Sequence, residues 1–398
     1  MKTNMISRVA CLQKLVDFRD KQVIKVITGI RRCGKSVLLQ QFRDHLVSSG
    51  VDPDKIILIN FESLQYENIL NYRSFYDHIR NQIRQGRYYL LLDEIQVVEH
   101  WEKAIASFQV DFDCDIYITG SNAFLMSSEL ATLLAGRYVE IHVFPLSFKE
   151  YISHQQEDPQ MLFRDYVKYG GFPGLIEFKK REGPAKDYLD GIYNTVVVKD
   201  ILSRNSFQNV SLLNTILKFM IDNVGNLVSA NNIADYLSSN GQKTHVDTVL
   251  NYLDAFENAY ILYKAERYHL KGKRILRSPH KFYIVDSGIR NTILGFRDLD
   301  IGRVLENVVF LELKRRGFDV RVGVDDQFEI DFIATKDNEK LYIQTALSLA
   351  DEKVKNRELQ GLLSTKDNYR KILLSMDFHI NEEIEGVRIQ NIIDFLLN

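Results

Sequence analysis

Two glycines, a lysine and a hydroxyl-bearing residue stand where an apolar run gives way to a helical pattern. The segment reads Gly29-Ile-Arg-Arg-Cys-Gly34-Lys35-Ser36. Glycines let the backbone curl until its N–H groups converge on one concavity, and the dipole of the following helix points at the same place. The spacing matches G-x-x-x-x-G-K-[ST], a pattern typical of phosphate-binding loops. We therefore expect a triphosphate site here, and an accidental glycine turn is the weaker interpretation.

The individual residues of this loop predict contacts with a nucleotide and its metal ion. Lys35 brings a positive charge to the β- and γ-phosphates, and the hydroxyl of Ser36 is a ligand for Mg²⁺. The residues expected to contact the nucleotide are Gly29, Ile30, Arg31, Arg32, Cys33, Gly34, Lys35, Ser36 and Val37.

Two acidic residues follow a second apolar run. Tyr88–Leu92 is typical of a buried strand, and Asp93 and Glu94 come directly after it. Asp93 is placed to hold Mg²⁺, and Glu94 is placed to polarise an attacking water as a general base. The alternative is a solvated strand end followed by a helix cap, which the nearby loop at Gly29 makes less favoured.

Two further segments carry candidate catalytic groups. The run Asp115–Thr119 ends in a polar stretch, in which Asn122 is a candidate to orient water or contact the γ-phosphate. An ordinary helix cap explains this stretch equally well. Arg137 precedes another apolar run and is a candidate to neutralise charge on the transferred phosphoryl group, in its own site or a neighbouring subunit's. Its alternative is a solvated arginine after a helix that ends at Gly136.

The elements that must position these residues alternate along the chain. Stretches with helical spacing separate the candidate strands, which are Val23–Thr28, Ile56–Asn60, Tyr88–Leu92, Asp115–Thr119 and Val139–Val143. Such alternation predicts an α/β fold with a parallel sheet between layers of helices. In such sheets ligands bind outside the carboxyl ends of the strands, which is where the loop and the acidic pair fall.

Composition excludes several classes of protein. The chain has 398 residues and a formal net charge of -2, so no global basic field marks a general nucleic-acid binder. No apolar run has the length of a membrane span, and the first residues lack the pattern of a secretory signal. The 3 cysteines are widely spaced and fit neither a disulfide framework nor a zinc site. We expect a cytoplasmic protein with no membrane partner.

Four motifs follow one another in the first domain: GIRRCGKS, LLLDEIQ, ITGSN and LAGRYVEIHVFPLSFKEY. Their order resembles the AAA+ class of P-loop ATPases. Later segments resemble bacterial and archaeal ATP-binding proteins with a C-terminal domain of unknown function, namely GGFP, VVKDI, KFYIVDSGIRNTILG, LENVVFLEL and EIDFIA. The resemblance implies ATP as the nucleotide, Asp93 as a Mg²⁺ ligand and Glu94 as the residue that activates water. The nucleotide-binding residues that it implies are Gly29, Gly34, Lys35 and Ser36.

The pattern beyond the first domain predicts three more regions. We place a P-loop domain of the AAA+ type at 1–145, a helical lid at 146–206, a winged-helix-like domain at 207–297 and a restriction-endonuclease-like α/β domain at 298–398. The paired glycines of GGFP are expected to form a turn at the hinge of the lid. In the winged-helix-like region, Ser229 and Thr244 are expected to cap the second and third helices.

The winged-helix-like region gives conflicting indications about nucleic acid. Its third helix carries Asp247, Asp254 and Glu257 and no basic residue, which is unsuited to a phosphate backbone. Basic residues gather in 267–281, a segment that suits DNA but equally suits a solvated hairpin or a protein-docking face. DNA, another protein and a second copy of the chain are therefore all candidate partners.

The last region resembles the PD-(D/E)XK nucleases in the order of its elements. Glu306 and Asp331 match the acidic positions that hold Mg²⁺ in such enzymes. The expected (D/E)-x-K reads Gln-Thr-Ala, so Ala346 stands where the lysine belongs, and Lys353 or Lys355 would have to reach in from the next helix. We expect a nuclease-shaped scaffold without nuclease activity.

The leading hypothesis is an AAA+ ATPase that couples ATP binding and hydrolysis to conformational change, with DNA as one candidate substrate of that motion. One alternative is a nucleotide-dependent signalling or scaffold switch with little turnover. The other alternative is a DNA-processing nuclease, which the missing lysine makes less favoured.

Overall fold

The computed structural model describes residues 6–120, 134, 136–178, 181–202, 207, 209–325, 327–378 and 380–398. These residues form two compact units, and the chain passes from the first to the second between Pro145 and Leu146. Within the described ranges, no helix is both long enough and apolar enough to cross a membrane.

The first unit contains a parallel sheet. Among its described residues the strands are Ile24–Thr28 (β1), Ile56–Asn60 (β2), Tyr88–Asp93 (β3), Cys114–Thr119 (β4) and Tyr138–His142 (β5). Their order is β2-β3-β4-β1-β5, and every neighbouring pair is parallel. The predicted α/β fold with a five-stranded parallel sheet is therefore confirmed.

Helices cover this sheet and bury both faces of its central strands. Among the described residues they are Val9–Asp17 (α1), Lys35–Ser48 (α2), Tyr72–Gln82 (α3) and Trp101–Asp111 (α4), with short 3-10 turns at Pro53–Lys55, Leu64–Ile69 and Ile95–Val97. Every residue of β1 and β3 is buried, which explains why these strands read as continuous apolar runs. Lys25 is the charged residue within β1, and it forms a buried ion pair with Asp115 of β4.

The second unit begins with helices and continues with helices and two sheets. Its helices are Phe148–Ile152 (α5), Pro159–Tyr169 (α6), Glu182–Thr195 (α7), Val210–Asp222 (α8), Ala230–Ser239 (α9), Val246–Asn258 (α10), Ser287–Leu294 (α11), Ile301–Arg315 (α12), Glu352–Leu363 (α13) and Ile392–Leu397 (α14). A π-helix follows α7 at Val196–Leu202, and 3-10 turns lie at Pro173–Phe178 and Asp298–Asp300.

A small antiparallel sheet accompanies α8, α9 and α10. In the described residues it contains Leu227–Val228 (β6), Leu262–Ala265 (β7) and His280–Ile284 (β10), in the order β6-β10-β7. Ser229 caps α9 through a reciprocal pair of hydrogen bonds with Asn232, as expected. The cap predicted at Thr244 is wrong, because α10 begins after His245 and receives no side-chain cap there.

A larger mixed sheet occupies the last part of the chain. Its described strands are Arg267–His269 (β8), Arg274–Ile275 (β9), Asp319–Val324 (β11), Glu329–Lys336 (β12), Glu339–Ala346 (β13), Arg370–Ser375 (β14), Asn381–Ile384 (β15) and Val387–Asn391 (β16). Their order is β15-β16-β14-β13-β12-β11-β8-β9. The basic segment 267–281 is thus divided, since β8 and β9 extend this sheet while Lys281 belongs to β10 of the small one.

The glycines of the GGFP segment pack against a buried carboxylate of the second unit. Asp286 caps α11 by accepting a hydrogen bond from the Gly288 N–H at 2.8 Å, and it also accepts one from the Gly171 N–H at 2.7 Å. Gly170 has φ 84°, and a Cβ placed there would lie 1.9 Å from Asp286 Oδ1. Close approach and a left-handed backbone together explain the glycine at 170.

Substituting Gly170→Ala is expected to destabilise the fold by at least 1–2 kcal/mol, roughly the penalty of a left-handed alanine, with the clash against Asp286 added. The matched control is Gly191→Ala in α7, where a Cβ meets no atom within 4 Å and the change is expected to stabilise by about 0.5–1 kcal/mol. Urea unfolding followed by circular dichroism measures both. A Gly170→Ala protein as stable as the parent would show that Asp286 does not constrain this turn.

Candidate active site

The predicted phosphate loop lies between β1 and α2 and has the backbone that its glycines predict. Gly29 has φ 138°, Arg32 φ 64° and Gly34 φ 104°, and Gly34 is the N-cap residue of α2. A Cβ on Gly29 would lie 2.1 Å from the carbonyl oxygen of Val143, so only glycine fits there. The loop therefore runs directly into the N-terminus of α2, where unpaired N–H groups favour an anion.

Lys35 is the first residue of α2 and is only 4 % exposed. Its Nζ donates to the carbonyl oxygens of Gly29 at 3.0 Å and Ile30 at 3.2 Å. Carbonyl oxygens orient the ammonium without cancelling its charge. The contacts to Gly29 and Ile30 thus hold the Lys35 side chain at the concave side of the loop.

Asp93 at the end of β3 gathers polar side chains from neighbouring elements. Its two carboxylate oxygens accept hydrogen bonds from Thr119 Oγ1 at 2.5 Å and from Asn60 Nδ2 at 3.1 Å. The Ser36 side chain is also hydrogen-bonded to it. Burial raises the pKa of Asp93, although the hydrogen bonds from Thr119 and Ser36 act in the opposite direction. Ser36 and Asp93, the two predicted Mg²⁺ ligands, therefore lie side by side.

Glu94 follows Asp93 in an uncommon backbone conformation. Its φ is 55°, its side chain is largely buried, and its N–H donates to Thr119 Oγ1 at 2.9 Å. Thr119 thus contacts both acidic residues, and this bridge fixes them relative to each other. The Glu94 carboxylate accepts a hydrogen bond from Gln96 Nε2.

The donor set fits Mg²⁺ bound together with a nucleotide. Within the described ranges, no three His, Cys, Asp or Glu side chains are grouped as a protein-only metal site would require. Mg²⁺ bound to a nucleotide needs fewer protein ligands, because phosphate oxygens and waters complete its octahedron. The hydroxyl of Ser36 and the carboxylate of Asp93 are suitable ligands of this kind.

The other predicted site residues differ from one another in exposure and in contacts. The side chains of Ile30 and Cys33 are fully buried, so only their backbone groups are able to face a nucleotide. Arg31 forms a 4.0 Å ion pair with Glu62, Arg32 is exposed and Val37 is half-buried. Arg137 is exposed, and its carbonyl accepts a hydrogen bond from the Ile24 N–H. Asn122 lies outside the described residues.

Three residues around this site were not predicted. Asn60 and Gln96 contact the two acidic side chains, and Arg8, which is buried, donates to the carbonyl oxygens of Cys33 at 2.9 Å and Phe144 at 2.7 Å. The sequence could have indicated Asn60, because it is a polar residue at the end of an apolar strand beside β3. The sequence could not have indicated Arg8, because its partners are backbone atoms far away in sequence.

In the second unit, Glu306 and Asp331 lie together around a buried lysine that was expected on a basic surface. Lys281 is 4 % exposed. Its Nζ lies 2.9 Å from Glu306, 2.8 Å from Glu329 and 3.5 Å from Asp331. Tyr283 donates a further hydrogen bond to Glu306 at 2.7 Å. The expectation that Lys281 contributes to a basic DNA-binding wing is therefore wrong.

The lysines of α13 do not complete this cluster. Lys355 pairs with Glu382 at 2.7 Å, and Lys353 is exposed. Ala346 ends β13 without a charge to offer, while Asp331 accepts hydrogen bonds from the N–H and the hydroxyl of Thr345 at 2.9 and 2.8 Å. The cation among the carboxylates therefore comes from β10.

The carboxylates around Lys281 outnumber their cation, and the pKa values reflect this. Burial raises the pKa of Glu306 to about 7, and the neighbouring Asp331 adds to the shift against Lys281. Burial alone would lower the pKa of Lys281, but Glu306, Asp331 and Glu329 outweigh it and raise that pKa. The ammonium is thus strongly held in its charged form.

The first unit is similar to an AAA domain. Residues 21–152 match the family described as AAA domain, and residues 160–300 match a domain of unknown function, DUF8612. The fold resembles that of the Walker-type ATPase PABY2304 of Pyrococcus abyssi, with a TM-score of 0.52 and 15% identity over 73% of this chain and 96% of that one.

Full-length relatives identify the family. The chain is 42% identical over 405 residues to an uncharacterized protein of Haemophilus influenzae, covering 100% of both. It is 32% identical over 363 residues to the uncharacterized protein MJ1544 of Methanocaldococcus jannaschii, covering 85% of this chain and 77% of the relative. The chain therefore belongs to the protein family that contains these bacterial and archaeal relatives.

The raised pKa of Glu306 predicts a pH-dependent stability. The folded-state value of about 7 exceeds the ordinary 4.5, so the contribution of this group is full below pH 4.5 and is lost as the pH rises through 7. The facing groups are Lys281 and Tyr283 on β10 and Glu329 and Asp331 on β12. The free energy of unfolding should fall by up to about 1.4 kcal/mol per pH unit over this interval because of Glu306. Glu306→Gln should remove this part of the pH dependence.

Urea unfolding of the parent and of Glu306→Gln between pH 4.5 and 7.5 measures this difference. The exposed carboxylate Glu383 on β15 offers the matched control, because Glu383→Gln should keep the profile of the parent. Parallel profiles for the parent and Glu306→Gln would show that Glu306 does not take up a proton in the folded state.

Proposed function

We propose that this protein is a Mg²⁺-dependent ATPase of the AAA+ class, in which ATP binding and hydrolysis drive a conformational change. One observation carries the proposal, namely that the phosphate loop places Lys35 and Ser36 next to the acidic pair at the end of β3. Ser36 is hydrogen-bonded to Asp93, and Glu94 is the next residue. A cation, a hydroxyl and two carboxylates at the edge of a parallel sheet suit phosphoryl transfer.

Each residue has a proposed role in binding. The backbone N–H groups of the loop Gly29–Ser36 hold the phosphates, and Lys35 supplies charge to the β- and γ-phosphates. Ser36 and Asp93 would hold Mg²⁺, which supplies charge neutralisation for the phosphoryl group when bound. Asn122 keeps its predicted role of orienting water or contacting the γ-phosphate. Arg137 keeps its predicted role of neutralising charge on the transferred phosphoryl group, in its own site or a neighbouring subunit's.

Glu94 is the proposed general base. A carboxylate beside the attacking water accepts its proton as the oxygen approaches the γ-phosphorus. Two features of its environment support this role, because Thr119 fixes its backbone and its side chain is largely buried. A fixed base needs little reorganisation as the reaction proceeds, which is the main source of catalysis in phosphoryl transfer.

Substitutions at Glu94 and Lys35 separate hydrolysis from binding. Glu94→Gln should lower turnover by roughly 10²-fold or more, the usual contribution of a general base, while ATP still binds. Lys35→Ala should abolish binding itself, since the phosphates lose their cation. Phosphate release and calorimetric titration with Mg²⁺-ATP measure the two effects.

Exposed residues of the same charge serve as controls for both changes. Glu99→Gln, in the loop after Glu94, and Lys103→Ala, on α4, should leave turnover and binding unchanged. If Glu94→Gln hydrolyses ATP at the parent's rate, its role as base is wrong. If the parent binds ATP without turnover, the alternative of a nucleotide-dependent switch is favoured.

We also propose that 207–297 contains a winged-helix-like domain and that nucleic acid is a candidate partner. The order helix α8, strand β6, helices α9 and α10, then strands β7 and β10 supports the first proposal. For nucleic acid, the support is limited to the exposed basic residues around β9, which are Lys271, Lys273, Arg274 and Arg277. Turnover measured with duplex DNA, single strands and RNA tests this partner.

For the last region we propose a restriction-endonuclease-like scaffold without nuclease activity. The support is that the Lys281 ammonium lies among Glu306, Glu329 and Asp331, of which Glu306 and Asp331 match the acidic positions of the PD-(D/E)XK nucleases. Because one site does not hold both cations, the lysine acts as an internal counter-ion. It would join β10 of the small sheet to α12 and β12.

Removing this lysine is expected to let the carboxylates around it bind a divalent cation. Lys281→Met leaves buried carboxylates uncompensated, so it should lower the free energy of unfolding by roughly 3–5 kcal/mol. Mn²⁺ should then raise the melting temperature of Lys281→Met but not that of the parent or of Lys353→Met, a substitution at an exposed position. Mg²⁺-dependent DNA cleavage by the parent that Asp331→Ala removes would overturn the proposal and favour the nuclease.

A further inference from the structure

Gln96 lies two residues after Glu94, in the short 3-10 turn Ile95–Val97. Its Nε2 donates a hydrogen bond to a carboxylate oxygen of Glu94. A carboxylate only accepts hydrogen bonds, so the amide must turn its NH₂ group toward Glu94 and its oxygen away from it. The chemistry of the pair thus fixes the orientation of the amide.

The oxygen of this amide is buried, and no described residue hydrogen-bonds to it. A buried polar atom without a partner costs about 1–3 kcal/mol, so such atoms call for an explanation from function. Glu94, which the Gln96 amide contacts, is also in an unfavourable state, because its left-handed backbone conformation is rare for residues other than glycine. Two unfavourable features therefore lie close together, one at the proposed base Glu94 and one in the turn that follows it.

We propose that Gln96 is a positioning residue for the attacking water. Its Nε2 holds the Glu94 carboxylate in place, and its Oε1 accepts a hydrogen bond from the same water that gives its other proton to Glu94. This inference rests on the proposed ATPase function. An amide that both donates and accepts is suited to this task, because one side chain then sets the direction of base and nucleophile together.

Hydrolysis replaces one bond to the γ-phosphorus by another. The water oxygen forms a bond to the γ-phosphorus while the bond from that phosphorus to the β–γ bridging oxygen breaks. The electron pair of the broken bond stays on ADP, and the proton accepted by Glu94 passes to the released phosphate. Gln96 gains and loses no atom, so its contribution is to geometry.

Two substitutions test the assignment. Gln96→Ala should lower kcat at least 10-fold while KM for ATP changes by less than 2-fold, since both orienting contacts are lost and no phosphate contact is. Gln96→Glu keeps the size of the side chain but places a second carboxylate against Glu94. The acid limb of its pH–rate profile should therefore move to higher pH, because a like charge raises the pKa of the base.

The control is Val97→Ala in the same turn, an exposed position that should keep the parent's kcat and profile. A structural role alone would not move the acid limb, so Gln96→Glu separates positioning from folding. A rise in kcat in Gln96→Ala would show that the amide restrains Glu94 and would overturn the inference. Unchanged kcat and profile in both variants, with an active parent, would also overturn it, and absence of turnover in the parent would remove the proposed function with it.

Discussion

The parallel register of β2, β3 and β4 is the constraint on which the candidate active site depends. Asn60 is the register partner of Asp93, and Thr119 ends the strand on the other side of β3. The last residues of adjacent parallel strands lie at one edge, so the side chains of Asn60 and Thr119 both meet the Asp93 carboxylate. A slip of one residue would turn a strand's side chains to the opposite face and break these contacts.

Burial gives these groups their chemical character. Asp93 has a raised pKa because it lies in the interior, and the Lys35 Nζ is buried there with carbonyl oxygens as its hydrogen-bond partners. Burying such groups opposes folding, and burial of the apolar core around β1 and β3 offsets this free-energy cost. In the proposed function the same groups match the charges of Mg²⁺ and the phosphates, so their stability cost is linked to binding.

Local chemistry explains which features the sequence was able to predict. The strands of the first unit and the loop from Gly29 to Ser36 follow from apolar runs and glycine spacing, and the structure confirms the sheet. Gln96 was visible in the motif LLLDEIQ, yet its contact with Glu94 needs the geometry of the turn. Arg8 was not predictable, because buried arginines that bind distant carbonyl groups leave no periodic pattern.

Charge is the feature that the sequence predicts least well. Lys281 belongs to a basic run along the chain, but β10 is the central strand of the small sheet and is buried from Lys281 to Ile284. Its neighbours Lys273 and Arg274 stay exposed. A count of basic residues therefore overstated the basic surface, because it does not record which of them a strand buries.

Lys35 and Lys281 show how surroundings decide what a buried charge is able to do. Both side chains belong to residues that are 4 % exposed. Lys35 donates to carbonyl oxygens, which carry no net charge, so its field reaches outward to an anion. Lys281 lies among three carboxylates that cancel its charge within the protein. The same residue type at the same burial therefore suits ligand binding in the first unit and internal cohesion in the second, and this contrast is the physical reason to expect chemistry at the loop rather than at the acidic cluster.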